Sequence, residues 1–306
     1  MRIFLALLVV TFGARAEVLY HAPITQSQWN LSASIFGCKL THTIPGFGQA
    51  VFFREAGEPL KFYLTTQRNP LQAGKAALVI EAPPWRPGQS VDDLGLVPVR
   101  DTNQPVTVGP DAAERMLDSL LRGMQPTVTR QGKFVRGAVR VAVNAVNFSN
   151  FYNDYLDCVA TLLPVNFRQV ERTKVFFDVD SSELTDEAKK QLDKVVLYVK
   201  ADPTVTQIFV DGHTDASGRR IYNLRLSRER AENVTQYLVS QGLDQDMIVT
   251  RYHGDRYPVV PDTTPANKAQ NRRATIRLDR TPKTERPQGV NAADASAALD
   301  SLPSSQ

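Results

Sequence analysis

A carboxylate at Asp215 and a guanidinium at Arg230 are the two groups in this chain best spaced to hold a ligand between them. Asp215 follows the run Ile208-Phe209-Val210-Asp211-Gly212-His213-Thr214, in which Ile208 and Val210 point to one face as in a buried strand until Gly212 breaks the pattern. Ser217 or Gly218 then opens a helical pattern from about residue 219 to 241, with Leu224, Ala231, Val234 and Leu238 as its apolar stripe. Asn223 and Arg230, two turns apart, fall together on the edge of that stripe and face back toward the loop. The pair suits a zwitterion, with an ammonium on Asp215 and a carboxylate forked onto Arg230. The plainer reading is an ordinary helix-start salt bridge. A surface pair contributes only about 0–1 kcal/mol, and a helix N-terminus does not favour an arginine, so stability gives little reason for it.

Other chemistries fit less well. Four histidines at positions 21, 42, 213 and 253 form no ligand cluster, so His213 is expected to serve structure rather than a metal. Asp211, His213 and Ser217 crowd into one loop without a nucleophile elbow or an oxyanion device. Gly46-Phe47-Gly48 lacks the third glycine and helix start of a phosphate cradle. No cofactor is implied. A wall-hydrolysing first domain would need paired carboxylates in a cleft, and Glu55, Glu58 and Glu81 show no such arrangement. The chain is read as non-enzymatic.

The elements that must position the pair belong to a chain of 306 residues, long enough for two domains. An apolar fraction of 42% supports ordinary cores, and 22% charged residues argue against wholesale disorder. Residues 1–16 have the grammar of a secretory signal: Arg2, an apolar run from Ile3 to Phe12, and Ala14-Arg15-Ala16 as a small-x-small cleavage site. Without Arg2 and Arg15 the 36 basic residues become 34 against 32 acidic ones, too balanced to point to nucleic acid. No segment is long and apolar enough to span a bilayer, so the mature chain is expected to be exported and soluble. Cys38 and Cys158 are either a bridge or two unrelated buried thiols; with only two cysteines in an exported chain, the bridge is the expected state.

Residues 17–165 read as a β-rich domain with packed helices. Strands are expected at 38–44, 49–54, 60–66, 76–82 and 138–143, and helices at 110–121 and 148–163. In the second helix the aromatic stripe of Phe148, Phe151, Tyr152 and Tyr155 reads as core. Pro83-Pro84-Trp85-Arg86-Pro87-Gly88 can be neither helix nor central strand, and Trp85 is either a partner anchor or packed over its own turn. Residues 166–280 read as an α/β sandwich in the order β-α-β-α-β-β, opening with a strand at 174–180 and a helix capped by Thr185. Beyond Arg280 the composition turns to Pro, Ala, Ser and Asp, and residues 281–306 are read as a disordered tail.

Val175-Phe176-Phe177 with Asp180, Gly212-His213-Thr214-Asp215, Asn223-x-x-Leu226-Ser227-x-x-Arg230-Ala231, Gly242-Leu243 and Asn271-Arg272-Arg273 resemble, in order and spacing, the OmpA-like peptidoglycan-binding domain. The resemblance implies binding of the diaminopimelate residue of the wall peptide. Asp215 would take its amine and Arg230 its carboxylate, while Asp180, Thr214, Asn223 and Leu226 shape the pocket. Cys38-x-Leu40-x-His42-x-Ile44-Pro45-x-Phe47-Gly48-x-Ala50, Ala56-Gly57, the proline-rich segment around Trp85 and the helix around Cys158 are similar to MotY-like flagellar motor proteins, whose disulfide the two cysteines match. That resemblance implies a periplasmic component meeting flagellar basal body ring proteins and a stator complex or co-ring protein. A general wall-anchoring envelope protein unrelated to flagella is the alternative.

Overall fold

The computed structural model describes residues 17–281, so the expected signal at 1–16 and all but the first residue of the expected tail lie outside the described residues. These residues divide after Asn166 into two compact units. No helix among them is long and apolar enough to cross a membrane.

The first unit is built on ten strands: β1 (Val18–Tyr20), β2 (Trp29–Ser34), β3 (Gly37–Ile44), β4 (Gly48–Glu55), β5 (Lys61–Thr66), β6 (Gly74–Glu81), β7 (Asp92–Val99), β8 (Val106–Val108), β9 (Gln125–Gln131) and β10 (Ala138–Ala142). They form one sheet in the order β1-β10-β9-β6-β7-β8-β5-β4-β3-β2, antiparallel except where β1 runs beside β10. Helix α1 (Pro110–Leu121) starts with proline at its first turn and buries Ala113, Met116, Leu117 and Leu120, spaced i, i+3, i+4, i+7. Helix α2 (Phe148–Ala160) follows Asn147, which takes a left-handed φ of 64°, a conformation asparagine tolerates. Phe148 and Tyr155 are buried, with Phe151 and Tyr152 packed against the same core. Cys158 of α2 is bonded to Cys38 of β3 across 120 positions, with a Cα–Cα distance of 6.0 Å. On the chain-entropy model, closing a loop that long stabilises by about 5 kcal/mol.

The second unit contains a short helix α3 (Phe167–Val170), then β11 (Arg172–Phe176), α4 (Asp186–Ala201), β12 (Val205–Gly212), α5 (Arg220–Ser240), β13 (Ile248–Tyr252), α6 (Pro265–Asn271) and β14 (Arg273–Arg280). The sheet order is β11-β14-β12-β13, with β12 and β13 parallel and the other pairs antiparallel. Thr185 caps α4 by accepting from the Ala188 N–H at 3.2 Å, and Ala188, Leu192, Val195, Val196 and Val199 form the buried side. Gly212 ends β12 where α5 crosses it: a Cβ there would lie 2.0 Å from the Ser227 carbonyl oxygen, so only glycine admits the helix at this depth.

Three local expectations are corrected. The first strand of this unit runs from Arg172 and ends at Phe176, opposite Arg273 where its partner β14 begins, and the chain then turns at Asp180 with a left-handed φ of 59°. Neither Ser217 nor Gly218 caps α5; Arg219 stands at that position with no side-chain cap, and the Ser217 N–H donates instead to the Asp215 carboxylate at 2.9 Å. Leu224 is 40% exposed, since the first turn of α5 lies at the cavity rim and Leu226 turns inward in its place. The helices α3 and α6 and the strands β1, β2, β7, β8 and β9 are not among the expected elements. Prolines at 98 and 126 interrupt the patterns of β7 and β9.

Candidate functional site

Beyond Gly212 the chain stays pinned between neighbours: the His213 N–H donates to the Arg273 carbonyl and the Thr214 N–H to the Gly254 carbonyl, both at 2.9 Å. Asp215 is thereby presented to a cavity of about 510 Å³. All six residues expected to shape the site, Asp180, Thr214, Asp215, Asn223, Leu226 and Arg230, line that one cavity. Tyr222, Asp262, Thr264, Lys268 and Arg272 join them.

Arg230 is fully buried, and its guanidinium is fixed by backbone. Nε donates to the Ser181 carbonyl at 2.8 Å, Nη1 to His213 at 3.0 Å and Nη2 to Asp178 at 3.1 Å, leaving one N–H on each terminal nitrogen. Its plane lies 5.1 Å from the Phe177 ring centroid. Burial, with the nearby Arg272 charge, pushes its pKa down to about 10, so it remains a cation at neutral pH. Arg230 therefore ties the loop after β11 to the loop after β12 while placing positive charge at the floor of the cavity.

Asp215 is not paired with Arg230. Its Oδ2 accepts from Arg272 Nη1 at 3.1 Å, and its Oδ1 accepts from the Ser217 N–H. Burial raises the carboxyl pKa, but the Ser217 donors and the Arg272 guanidinium outweigh it, so the carboxyl lies below its ordinary value and is ionised. Asp180 accepts from the Tyr222 hydroxyl. Two buried polar atoms in the lining have no partner: Thr214 Oγ1 and Asn223 Nδ2.

The Asn271-Arg272-Arg273 motif, whose role the sequence left open, contributes Arg272 to the lining and braces the loops around it. Asn271 is fully buried, accepts from the Val259 N–H at 2.8 Å, and donates to the Val260 carbonyl at 2.8 Å and to Asp262 Oδ1 at 2.6 Å. Asp262 also accepts from the Ala216 N–H, joining the loop before α6 to the Asp215 loop. Arg272 holds Asp215 and donates through Nε to the Phe177 carbonyl at 3.2 Å. Arg273 is buried and donates to the Tyr257 carbonyl at 3.1 Å. Sequence reasoning missed Tyr222, Asp262 and Lys268. The available signal was Thr264-Pro265, a capped helix start that places Lys268, Asn271 and Arg272 on one face at i, i+3, i+4.

The other candidates do not converge. His213 stacks on His253 with centroids 5.1 Å apart, while Asp211 pairs with His253 at 2.8 Å and Arg251 at 2.7 Å, so Asp211, His213 and Ser217 form no relay. Glu81 is held by Arg140 and Thr127. Trp85 is 49% exposed and so does not bury itself against its own turn.

Residues 20–164 match the MotY N-terminal domain and residues 176–272 match the OmpA family. The chain is 32% identical over 289 residues to the sodium-type flagellar protein MotY of Vibrio parahaemolyticus, a span covering 91% of this chain and 96% of that protein. The peptidoglycan-associated lipoprotein of Pseudomonas aeruginosa is 34% identical over 105 residues, which covers 34% of this chain and 61% of that protein. The crystal structure of the peptidoglycan-associated lipoprotein from Burkholderia pseudomallei aligns at 33% identity over 35% of this chain and 89% of that one, with a TM-score of 0.33. With a near full-length relative and both halves matched in order, the chain belongs to the MotY family of flagellar motor proteins, its second half an OmpA-family domain.

Proposed function

We propose that the second unit binds peptidoglycan non-covalently, taking the zwitterionic end of diaminopimelate into the cavity beside Asp215. The observation that carries this reading is the pair of orphaned buried atoms, Thr214 Oγ1 and Asn223 Nδ2, lining the same cavity as an ionised Asp215 and the cationic Arg230. Buried polar atoms without partners are costly in a native protein, and a ligand that supplies a donor and an acceptor removes the cost. The ligand ammonium meets Asp215. The carboxylate meets Asn223 Nδ2 and the N–H groups that Arg230 retains. Asp180 and Leu226 shape the remainder.

In this reading the chain is a periplasmic, non-enzymatic anchor. Its first unit associates with ring proteins of the flagellar basal body and with a stator complex or co-ring protein. The family and the matched MotY N-terminal domain support that assignment. Co-sedimentation of the chain with diaminopimelate-type sacculi tests the wall site. Asp215→Asn removes the ammonium's counter-charge and is expected to weaken binding roughly ten- to a hundredfold. Unchanged sedimentation would refute the assignment. A strain lacking the protein is expected to build filaments yet swim poorly under load, and normal swimming would remove the flagellar role.

A further inference from the structure

Among the described residues, two charged groups lining the cavity meet only a neutral hydroxyl, the Asp180 carboxylate and the Lys268 ammonium, and Lys268 is the one cation of the two. Asp180 receives Tyr222, Asp215 receives Arg272 and the Ser217 N–H, and Asp262 receives Asn271 and the Ala216 N–H. Arg230 is spent largely on three carbonyls, and Arg272 on Asp215 and Phe177. Lys268 donates only to the neutral Ser217 Oγ at 3.0 Å, and among the described residues no carboxylate lies within ion-pair distance of it. It is half-buried and rigidly placed: Thr264 caps α6 on the Asn267 N–H at 3.2 Å, and Asn271, one turn after Lys268, is locked into the loop before the helix. A half-buried ammonium on a fixed helix face, one hydroxyl removed from the Asp215 loop, is a ready partner for an anion entering the same cavity.

We infer that Lys268 forms a second anion subsite, reading a carboxylate of the wall peptide other than the one beside Arg230. This rests on the proposed wall-binding reading and adds a specificity to it. Two sources share the chemistry. One is the carboxylate at the far end of diaminopimelate, free where the stem peptide has been trimmed back to that residue. The other is the α-carboxylate of the neighbouring D-glutamate, which amidation would neutralise. Either way the site distinguishes processed from unprocessed stems, and the cavity becomes a reader of wall maturation as well as an anchor.

Calorimetric titration of the mature chain with two pairs of probes decides this. The first pair is meso-diaminopimelate against D-lysine, which keeps one zwitterionic end and lacks the second carboxylate. The second is L-Ala-γ-D-Glu-meso-diaminopimelate against its form amidated at the glutamate α-carboxylate. Wild-type protein is expected to prefer the carboxylate-bearing member of one pair by about tenfold at low salt, less as salt rises. Lys268→Met, which keeps the aliphatic stem, is expected to abolish that preference while the disfavoured probe binds as before. Equal preference in wild type and Lys268→Met for both pairs overturns the subsite but leaves the wall site standing. Failure of all four probes to bind wild type overturns both readings. Equal weakening of every probe by Lys268→Met reduces Lys268 to a support for Ser217 and also overturns the inference.

Discussion

Arg230→Ala is expected to act first on folding and only then on binding. The substitution takes the donor from three carbonyls at once, those of Asp178, Ser181 and His213, bonded at 2.8–3.1 Å around a fully buried side chain. A hydrogen bond to a charged group is worth about 1.5–3 kcal/mol, and a buried acceptor left unpaired costs about 1–3 kcal/mol. Water entering the vacated volume recovers part of this, so the net loss is set at about 3–5 kcal/mol. Against a typical total of about 5–15 kcal/mol, that brings the unit close to unfolding. Asp215→Asn keeps the Ser217 N–H contact and part of the Arg272 contact but leaves that largely buried guanidinium without its counter-charge, and is expected to cost about 1–3 kcal/mol, less than Arg230→Ala. Spectroscopy separates the two units without cutting the chain. Both tryptophans, Trp29 and Trp85, lie in the first unit, so their fluorescence follows it alone, whereas α4 and α5 give the second unit much of the far-UV circular dichroism. In urea, Arg230→Ala should shift the dichroism midpoint far down while the fluorescence midpoint stays put. A dichroism midpoint equal to that of wild type would refute the view that Arg230 holds the two loops together.

Three further outcomes follow from the same geometry. His42 and His213 both have pKa values pushed down to about 4, chiefly by burial, against an ordinary 6.5. The unfolded chain therefore binds protons that the folded chain refuses, so stability falls as pH drops from 6.5 toward 4, by up to about 3 kcal/mol per histidine, and His42→Gln or His213→Gln should flatten the acid limb of a stability–pH curve for its own unit. Gly212→Ala would place a Cβ 2.0 Å from the Ser227 carbonyl oxygen, forcing α5 off β12, and a loss of several kcal/mol is expected in the dichroism transition. Asn271→Ala frees the loop that carries Asp262 and should weaken sacculus binding while leaving the fluorescence transition unchanged.

Much of the second unit was legible because its signals are local. Thr185 followed by Ala188, Leu192, Val195, Val196 and Val199 announces α4 through one cap and one period, and the structure buries that set. The cavity residues Thr214, Asp215, Asn223 and Arg230 were legible for the same reason, as the end of one strand and one face of the next helix. The partner of Asp215 was not. Arg272 stands at the head of β14, the strand that pairs with β12, and nothing in its neighbourhood of the sequence announces that pairing or a contact with a residue 57 positions earlier. The first unit resisted for a related cause: β7 and β9 carry prolines, and β8 is only three residues long, so pairing with neighbours rather than propensity makes them strands.

The bond between Cys38 and Cys158 joins an early strand to the last helix of its unit, so it forms only after nearly all of that unit has been made. A chain held reduced lacks about 5 kcal/mol of stabilisation, comparable to the whole stability of an ordinary domain. Before meeting an oxidant the unit is thus held only by its packing and hydrogen bonds, and afterwards it is cross-linked. The cross-link is a latch that an oxidant closes and a reductant opens. Protease resistance of the first unit, followed from the moment oxidant is added to the reduced chain, should rise at the rate at which the thiols disappear.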